Sequence, residues 1–225
     1  QISAQQDHQL VPDTPLKILK NFLPEHEWEL QTGDMLYLPP NYAHHGIALD
    51  DCMTYSIGFR APSHQELIVQ FLVYLEDNLT TQGWYSDPDL QLQAHPSKIS
   101  VSMRSKVKSI LKKIKWNHYD IENFLGIYLS EPKSHVFFEK PIKPLAPQAF
   151  HQKIGKSGVQ LNLKSRIVSG KNKFFINGEI YEVNADVYKV LIELADKRFF
   201  LPSPNLKWVA KKILYQWYVN GYLDN

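Results

Sequence analysis

The chain has 225 residues, of which 44% are hydrophobic and 12% aromatic, so it can bury a core and is not an extended disordered polymer. No apolar run approaches the roughly 18 residues that span a bilayer and no signal peptide opens the sequence, so we expect no membrane partner. The single cysteine, Cys52, excludes an internal disulfide and a cysteine-based zinc site, which favours a cytoplasmic location.

Charge is distributed unevenly along the chain. Residues 1–103 hold 4 Lys and Arg against 13 Asp and Glu, whereas residues 104–225 hold 21 against 10. Such asymmetry indicates that the two parts face different partners. The basic part predicts attraction to an acidic or RNA-rich surface, and the alternative is an ordinary solvated lysine face.

The first 62 residues have the pattern of β-structure. GDMLYLPP (33–40) predicts a turn, a strand and a double-proline stop. HGIAL (45–49) and MTYSIGF (53–59) predict two further strands, the second with alternate residues on one face.

Helical patterns follow from Pro62. Ser63 and Glu66 have the spacing of a capping box, which predicts a helix from there to about residue 79. A second helix is predicted over about 97–115, with an apolar stripe and a basic opposite face, and a third over about 120–129.

Residues 131–148 contain four prolines, which predicts a linker. Beyond it the pattern predicts a short helix, strands, a hairpin at Asn177-Gly178, and helices over about 185–195 and 205–219. This order resembles a winged-helix-like domain. The spacing of the aromatic residues favours positions in its core, namely Phe174, Phe175, Tyr181, Trp208, Trp217 and Tyr218.

The segment GDMLYLPPNYAHHGIAL (33–49) is the main candidate for chemistry. A strand leads to two prolines, and a short loop then delivers His44 and His45 to the start of the next strand. Consecutive strand residues point to opposite faces, so one imidazole can enter a β-barrel, where it is a good iron ligand. A structural histidine is the alternative.

This segment is similar to the last ligand segment of cupin and JmjC-type 2-oxoglutarate oxygenases. YSIGFRAP (55–62) then closely resembles the bacterial ribosomal oxygenases, which hydroxylate an arginine of a large-subunit ribosomal protein. YSDPD–AHP (85–96) and the hairpin at Asn177-Gly178-Glu179 are also similar to that family.

The resemblance implies an α+β fold in three parts. Residues 1–62 would be the C-terminal part of a double-stranded β-helix, residues 63–135 a helical dimerisation region that makes a homodimer, and residues 136–225 a winged-helix-like domain. It also implies Fe(II) held by two histidines and an aspartate, with 2-oxoglutarate as co-substrate. His44 matches the second histidine, whereas Thr54 and Ser56 lie on the strand that lines the pocket and either contact 2-oxoglutarate or fill the strand structurally.

The first two ligands of that triad have no match in this sequence. No H-x-D or H-x-E precedes His44, so we expect the iron site to be incomplete here and the chain to be inactive alone. His64-Gln65-Glu66 and His118-Tyr119-Asp120 do have such spacing, but they occur at predicted helix starts, where the carboxylates act as caps.

Three functions therefore compete. The first is part of an iron- and 2-oxoglutarate-dependent hydroxylase whose substrate is a large-subunit ribosomal protein. The second is a non-catalytic dimerising or binding module. The third is a nucleic-acid-binding winged-helix protein, for which weak contact with ribosomal RNA is favoured over sequence-specific DNA binding.

Overall fold

The structure is a computed structural model that describes residues 1–225 except 6–8, 16, 59, 204 and 225. The chain divides into two compact units, residues 1–60 and 61–225. Within the described residues the elements are β1 (Ile2–Ser3), β2 (Ala43–His44), α1 (His64–Asn78), α2 (Val101–Leu111), α3 (His118–Ser130), α4 (Pro147–Ser157), β3 (Val159–Leu161), β4 (Ile167–Gly170), β5 (Lys173–Ile176), β6 (Glu179–Glu182), α5 (Ala185–Lys197), β7 (Phe199–Phe200), α6 (Trp208–Val219) and β8 (Leu223–Asp224). None of these helices is long and apolar enough to cross a membrane.

The first unit has little regular structure. Its β1 and β2 pair antiparallel, with Ile2 opposite His44 and Ser3 opposite Ala43. The strands predicted over 33–38, 45–49 and 53–58 are not formed, and Phe59 lies outside the described residues. A strand requires a hydrogen-bonded neighbour, and residues 53–58 have no described partner. Tyr55, for example, is 81% exposed.

Helices α1 and α3 begin close to where the sequence predicts, whereas α2, for which Ser100 provides the cap, is shorter at both ends than the predicted 97–115. Ser63 caps α1 by accepting a hydrogen bond from the Glu66 backbone N–H at 3.1 Å. Asn117 and Asp120 form a full capping box at the start of α3, which confirms the capping role predicted for Asp120. These starts are predictable because a cap depends on residues within one turn.

Helix α2 is held to the preceding loop by an ionic cluster on one side. The Lys106 ammonium lies 2.7 Å from the Asp87 carboxylate and 2.5 Å from that of Asp89, and the Tyr85 hydroxyl also donates to Asp87. The helix also exposes an apolar stripe formed by Met103, Val107 and Ile110, which Ile99 and Ile114 continue just outside its two ends. We call these five residues the α2 stripe.

The C-terminal part has the predicted winged-helix architecture. One three-stranded sheet has the order β7–β3–β8 and the other β4–β5–β6, all antiparallel. Asn177 and Gly178 both have positive φ (52° and 86°), as a two-residue hairpin turn of this hand requires. Helices α4, α5 and α6 enclose a core whose fully buried members include Leu161, Phe174, Ile176, Leu191, Leu194, Leu214 and Trp217.

Two predictions for this part need correction. Trp208 is not in the core but 70% exposed, because the buried face of α6 is formed by Ala210, Leu214 and neighbours one helical turn apart, and Trp208 lies on the opposite face. Most of the proline-rich stretch, residues 131–146, lacks helix and strand, as a linker would, but it lies along the domain. The Leu145 N–H, for instance, donates to the Tyr218 hydroxyl at 3.0 Å.

Helix α3 packs against the β4–β5–β6 sheet. Gly126 lies so close to the Phe175 ring that an added Cβ would stand 2.3 Å from it. The buried Lys173 ammonium is 3.2 Å from the Glu122 carboxylate and 2.8 Å from Asn123 Oδ1. At the end of α3, the Ser130 hydroxyl accepts from the Gly178 N–H. Where one domain ends and the next begins within residues 61–225 stays a prediction.

The Glu122 carboxylate predicts a pH dependence of stability. Its pKa lies below the ordinary value of 4.5 because the Lys171 backbone N–H donates to it at 2.8 Å and the Lys173 ammonium is adjacent. A group with a depressed folded-state pKa stabilises the fold above its ordinary pKa, and this contribution is lost as the pH falls through the lowered value. We therefore expect the unfolding free energy to decrease as the pH drops below about 4.5, and this decrease should be smaller in Glu122→Gln.

Urea unfolding at several pH values between about 6 and 3 measures the slope of the unfolding free energy against pH. Glu193→Gln is the matched control, since it removes the exposed carboxylate of a surface ion pair with Lys197. The same change of slope in both variants would contradict the assignment to Glu122.

Candidate metal site

A tight turn places His44 on its strand. The Tyr42 N–H donates to the Pro39 carbonyl at 3.3 Å, which closes the turn Pro39-Pro40-Asn41-Tyr42. Proline in the second position and a positive φ (65°) at Asn41 in the third are the features of a type II turn. The double proline therefore reverses the chain, and the next two residues run back beside β1.

The His44 imidazole is oriented by its own backbone. Its Nδ1 lies 3.3 Å from the Tyr42 carbonyl oxygen, which accepts a hydrogen bond when Nδ1 carries the proton. This tautomer leaves the lone pair on Nε2, which is the arrangement usual for a metal-binding histidine. His44 is exposed, so its imidazole is open to a metal ion.

The neighbouring His45 has a structural environment. Its backbone N–H donates to the Gln1 carbonyl at 3.0 Å and its carbonyl accepts from the Gln1 amino group at 3.1 Å. Its ring meets Phe22 edge to face, with ring centres 6.1 Å apart. These contacts favour His44 over His45 as a ligand, as the resemblance implies.

His26 lies next to β1 although no motif in the sequence singles it out. It pairs with Ile2 on the side of β1 away from β2, and the Ile2 N–H donates to the His26 carbonyl at 2.9 Å. His26 and His44 therefore flank Ile2 in register across three chain segments. No local motif signals this, because the pairing joins residues far apart in sequence.

Thr54 and Ser56 are not assembled with His44. Both lie in the exposed segment 53–58, and no hydrogen bond joins either side chain to another described residue. The structure therefore neither supports nor tests their predicted contact with 2-oxoglutarate.

The described residues around His44 supply only part of what an Fe(II) site needs. Such a site requires two imidazoles and a carboxylate converging on one point. Outside residues 6–8, 16, 59, 204 and 225, no three His, Cys, Asp or Glu side chains are arranged to hold a metal. His44 fits as one ligand, but the described residues do not complete the site.

Two family models match separate parts of the chain. Residues 1–67 match the JmjC domain, and residues 113–224 match the ROXA-like winged helix. The chain thus carries JmjC sequence followed by a winged helix, which confirms the predicted fold class.

Two individual relatives indicate which kind of JmjC protein the chain is similar to. The ribosomal protein uL16 3-hydroxylase of Escherichia coli is 30% identical over 152 residues, which are 67% of this chain and 41% of that protein. A probable ribosomal oxygenase of Haemophilus influenzae is 40% identical over 63 residues, or 28% of this chain and 14% of that protein. The chain is therefore homologous to the bacterial ribosomal oxygenases.

A solved structure shows the same fold. YcfD, a ribosomal oxygenase from Escherichia coli in complex with cobalt and 2-oxoglutarate, superposes with a TM-score of 0.68 at 25% identity. The match covers 93% of this chain and 59% of that one. The chain thus spans less than two thirds of each of these relatives, so the activity of a whole oxygenase is a proposal for it.

Proposed function

We propose that the chain is part of a cytoplasmic Fe(II)- and 2-oxoglutarate-dependent hydroxylase that acts on an arginine of a large-subunit ribosomal protein. The observation that carries the proposal is the homology to a ribosomal protein hydroxylase over 152 residues. The metal- and 2-oxoglutarate-bound relative supports the cofactors. The arginine and the choice of iron come from the family resemblance, and the location comes from the single cysteine of the sequence.

His44 has the role of one iron ligand in this proposal, and Thr54 and Ser56 face the co-substrate. A single neutral imidazole cannot hold Fe(II) against water, since a carboxylate is needed to offset the charge of the metal. Because the described residues place no carboxylate with His44 in a metal-binding group, we propose that the chain by itself is inactive.

Turnover of 2-oxoglutarate with a ribosomal-protein peptide tests the proposal. We expect none from the 225-residue chain, and iron-dependent turnover from a longer form that also supplies the histidine and aspartate ligands. Full activity of the short chain would show that the metal site is elsewhere. An extended form without activity that still dimerises would favour the non-catalytic binding module.

A homodimer is the second element of the proposal. The α2 stripe is exposed along its whole length, with Ile99 at 64% and Val107 at 40%. Continuous apolar faces on a helix are normally covered, and a second copy of the same helix is the simplest cover. We therefore expect twice the 26.1 kDa protomer mass in light scattering at micromolar concentration.

Val107→Asp should weaken this dimer by roughly tenfold or more, because the new carboxylate would be buried without a partner. Ser105→Asp is the control, since Ser105 is exposed on the opposite face of α2. Sedimentation equilibrium gives both dissociation constants. An equal effect of the two substitutions would place the interface away from the α2 stripe.

Contact with ribosomal RNA is the third element. The excess of lysine in residues 104–225 supports it. Sequence-specific DNA recognition is not proposed.

A further inference from the structure

Helix α6 presents a face that carries two aromatic and two basic side chains, of which Trp208 and Lys212 are exposed and the other two half-buried. Its four members stand at positions i, i+3, i+4 and i+7, which fall on one side of a helix. They are Trp208, Lys211, Lys212 and Tyr215, and we call them the α6 face. The buried positions of α6, such as Leu214 and Trp217, lie on the other side.

The α6 face is available to a ligand. The Trp208 indole is 70% exposed, an unusual position for so large an apolar surface. Among the residues that the structure describes, no carboxylate forms an ion pair with Lys211 or Lys212. The sequence from 197 to 223 contains no Asp or Glu, so their charge is not offset along the chain.

Neighbouring residues hold this face in place. The His151 Nε2 atom of α4 lies 3.1 Å from the Lys211 carbonyl oxygen, and its ring centre is 6.3 Å from that of Tyr215. The Tyr215 hydroxyl donates to the Leu145 carbonyl at 2.9 Å. Because the helix is anchored on both sides, little ordering is required when a ligand binds.

We propose that the α6 face binds single-stranded RNA, with Lys211 and Lys212 on phosphates and a base stacked on Trp208. A cationic surface carrying a flat exposed ring is how proteins bind single strands without sequence preference. An acidic protein would engage the lysines but would leave the exposed indole without a role. The inference rests on the proposed contact with ribosomal RNA and is independent of the oxygenase activity.

Fluorescence anisotropy of the whole 225-residue chain with a labelled 12-nucleotide oligouridine tests the inference. We expect Trp208→Ala to weaken binding about 5- to 150-fold, which is the range for loss of one stacked base. Replacement of Lys211 and Lys212 by Gln should reduce the slope of log Kd against log salt by about 1.4, at roughly 0.7 for each lost phosphate contact.

Matched controls separate this face from general basic charge. Lys153→Gln with Lys156→Gln removes two exposed lysines from α4, and Trp84→Ala removes a tryptophan that is 97% exposed outside the winged helix. Circular dichroism melting verifies that every variant is folded. The controls should retain binding and the full salt slope.

Four results would overturn the inference. They are equal losses in the controls, an unchanged Kd in Trp208→Ala, equally tight binding of labelled poly-glutamate, and no RNA binding at low salt. The last result would also remove the proposed ribosomal RNA contact. None of them affects the turnover assay, so failure here and failure of the hydroxylase proposal are distinguishable.

Discussion

His44→Ala is expected to lower 2-oxoglutarate turnover at least about a hundredfold in an extended form of the chain that is active. Loss of a group that only orients a metal ligand typically costs 10- to 100-fold in affinity or activity, so loss of a ligand itself should cost no less. The His44 side chain is exposed, so alanine should leave the fold intact. Turnover and iron content should be measured together, since both should fall.

His45→Ala is the matched control. It removes the adjacent imidazole, which packs against Phe22, while the backbone pairing of His45 with Gln1 is unchanged. Turnover and iron content should stay close to those of the parent. If instead His44→Ala left turnover unchanged and His45→Ala abolished it, His45 rather than His44 would be the histidine that binds iron.

Gly126→Ala should lower the free energy of unfolding by about 1–3 kcal/mol, the usual cost of forcing atoms into a packed core. The new methyl group would lie 2.3 Å from the base of the Phe175 ring. Phe175 is 1% exposed, so its ring is enclosed by neighbouring residues. This cost exceeds the gain of up to about 1 kcal/mol that alanine brings to a helix over glycine.

Gly155→Ala makes the same substitution where nothing lies within 4 Å of the new Cβ. Because Gly155 is an exposed residue of α4, alanine should raise the unfolding free energy by about 0.5–1 kcal/mol. Denaturant melts of the two variants should therefore shift in opposite directions. A stabilised Gly126→Ala would show that α3 does not approach the sheet as closely as described.

Local signals were the most predictive part of the sequence. The start of α1 at Ser63 and the hairpin turn at Asn177-Gly178 depend on residues within one turn of each other, and both are confirmed. The strands predicted in 33–58 failed because strand formation depends on partners, which alternation alone cannot supply. Trp208 was misplaced because the spacing of the aromatic residues suggested a core position, whereas it lies on the face of α6 opposite the buried residues.

The candidate site was predictable only in part. The double proline and the histidine after it identified the segment, and the structure explains them as a turn that places His44 beside Ile2. The pairing of His26 with Ile2 could not be predicted, because no spacing rule connects positions so far apart in the sequence. Whether Thr54 and Ser56 contact a co-substrate stays a prediction.

Helix α3 has two packing partners, and this limits which substitutions it can accept. One face presents Phe124 to the aromatic rings of α1, 5.3 Å from that of Phe71, and another presents Gly126 to the sheet. A larger residue on either face would displace one partner. Random mutagenesis scored for folding should therefore find α3 among the least tolerant helices.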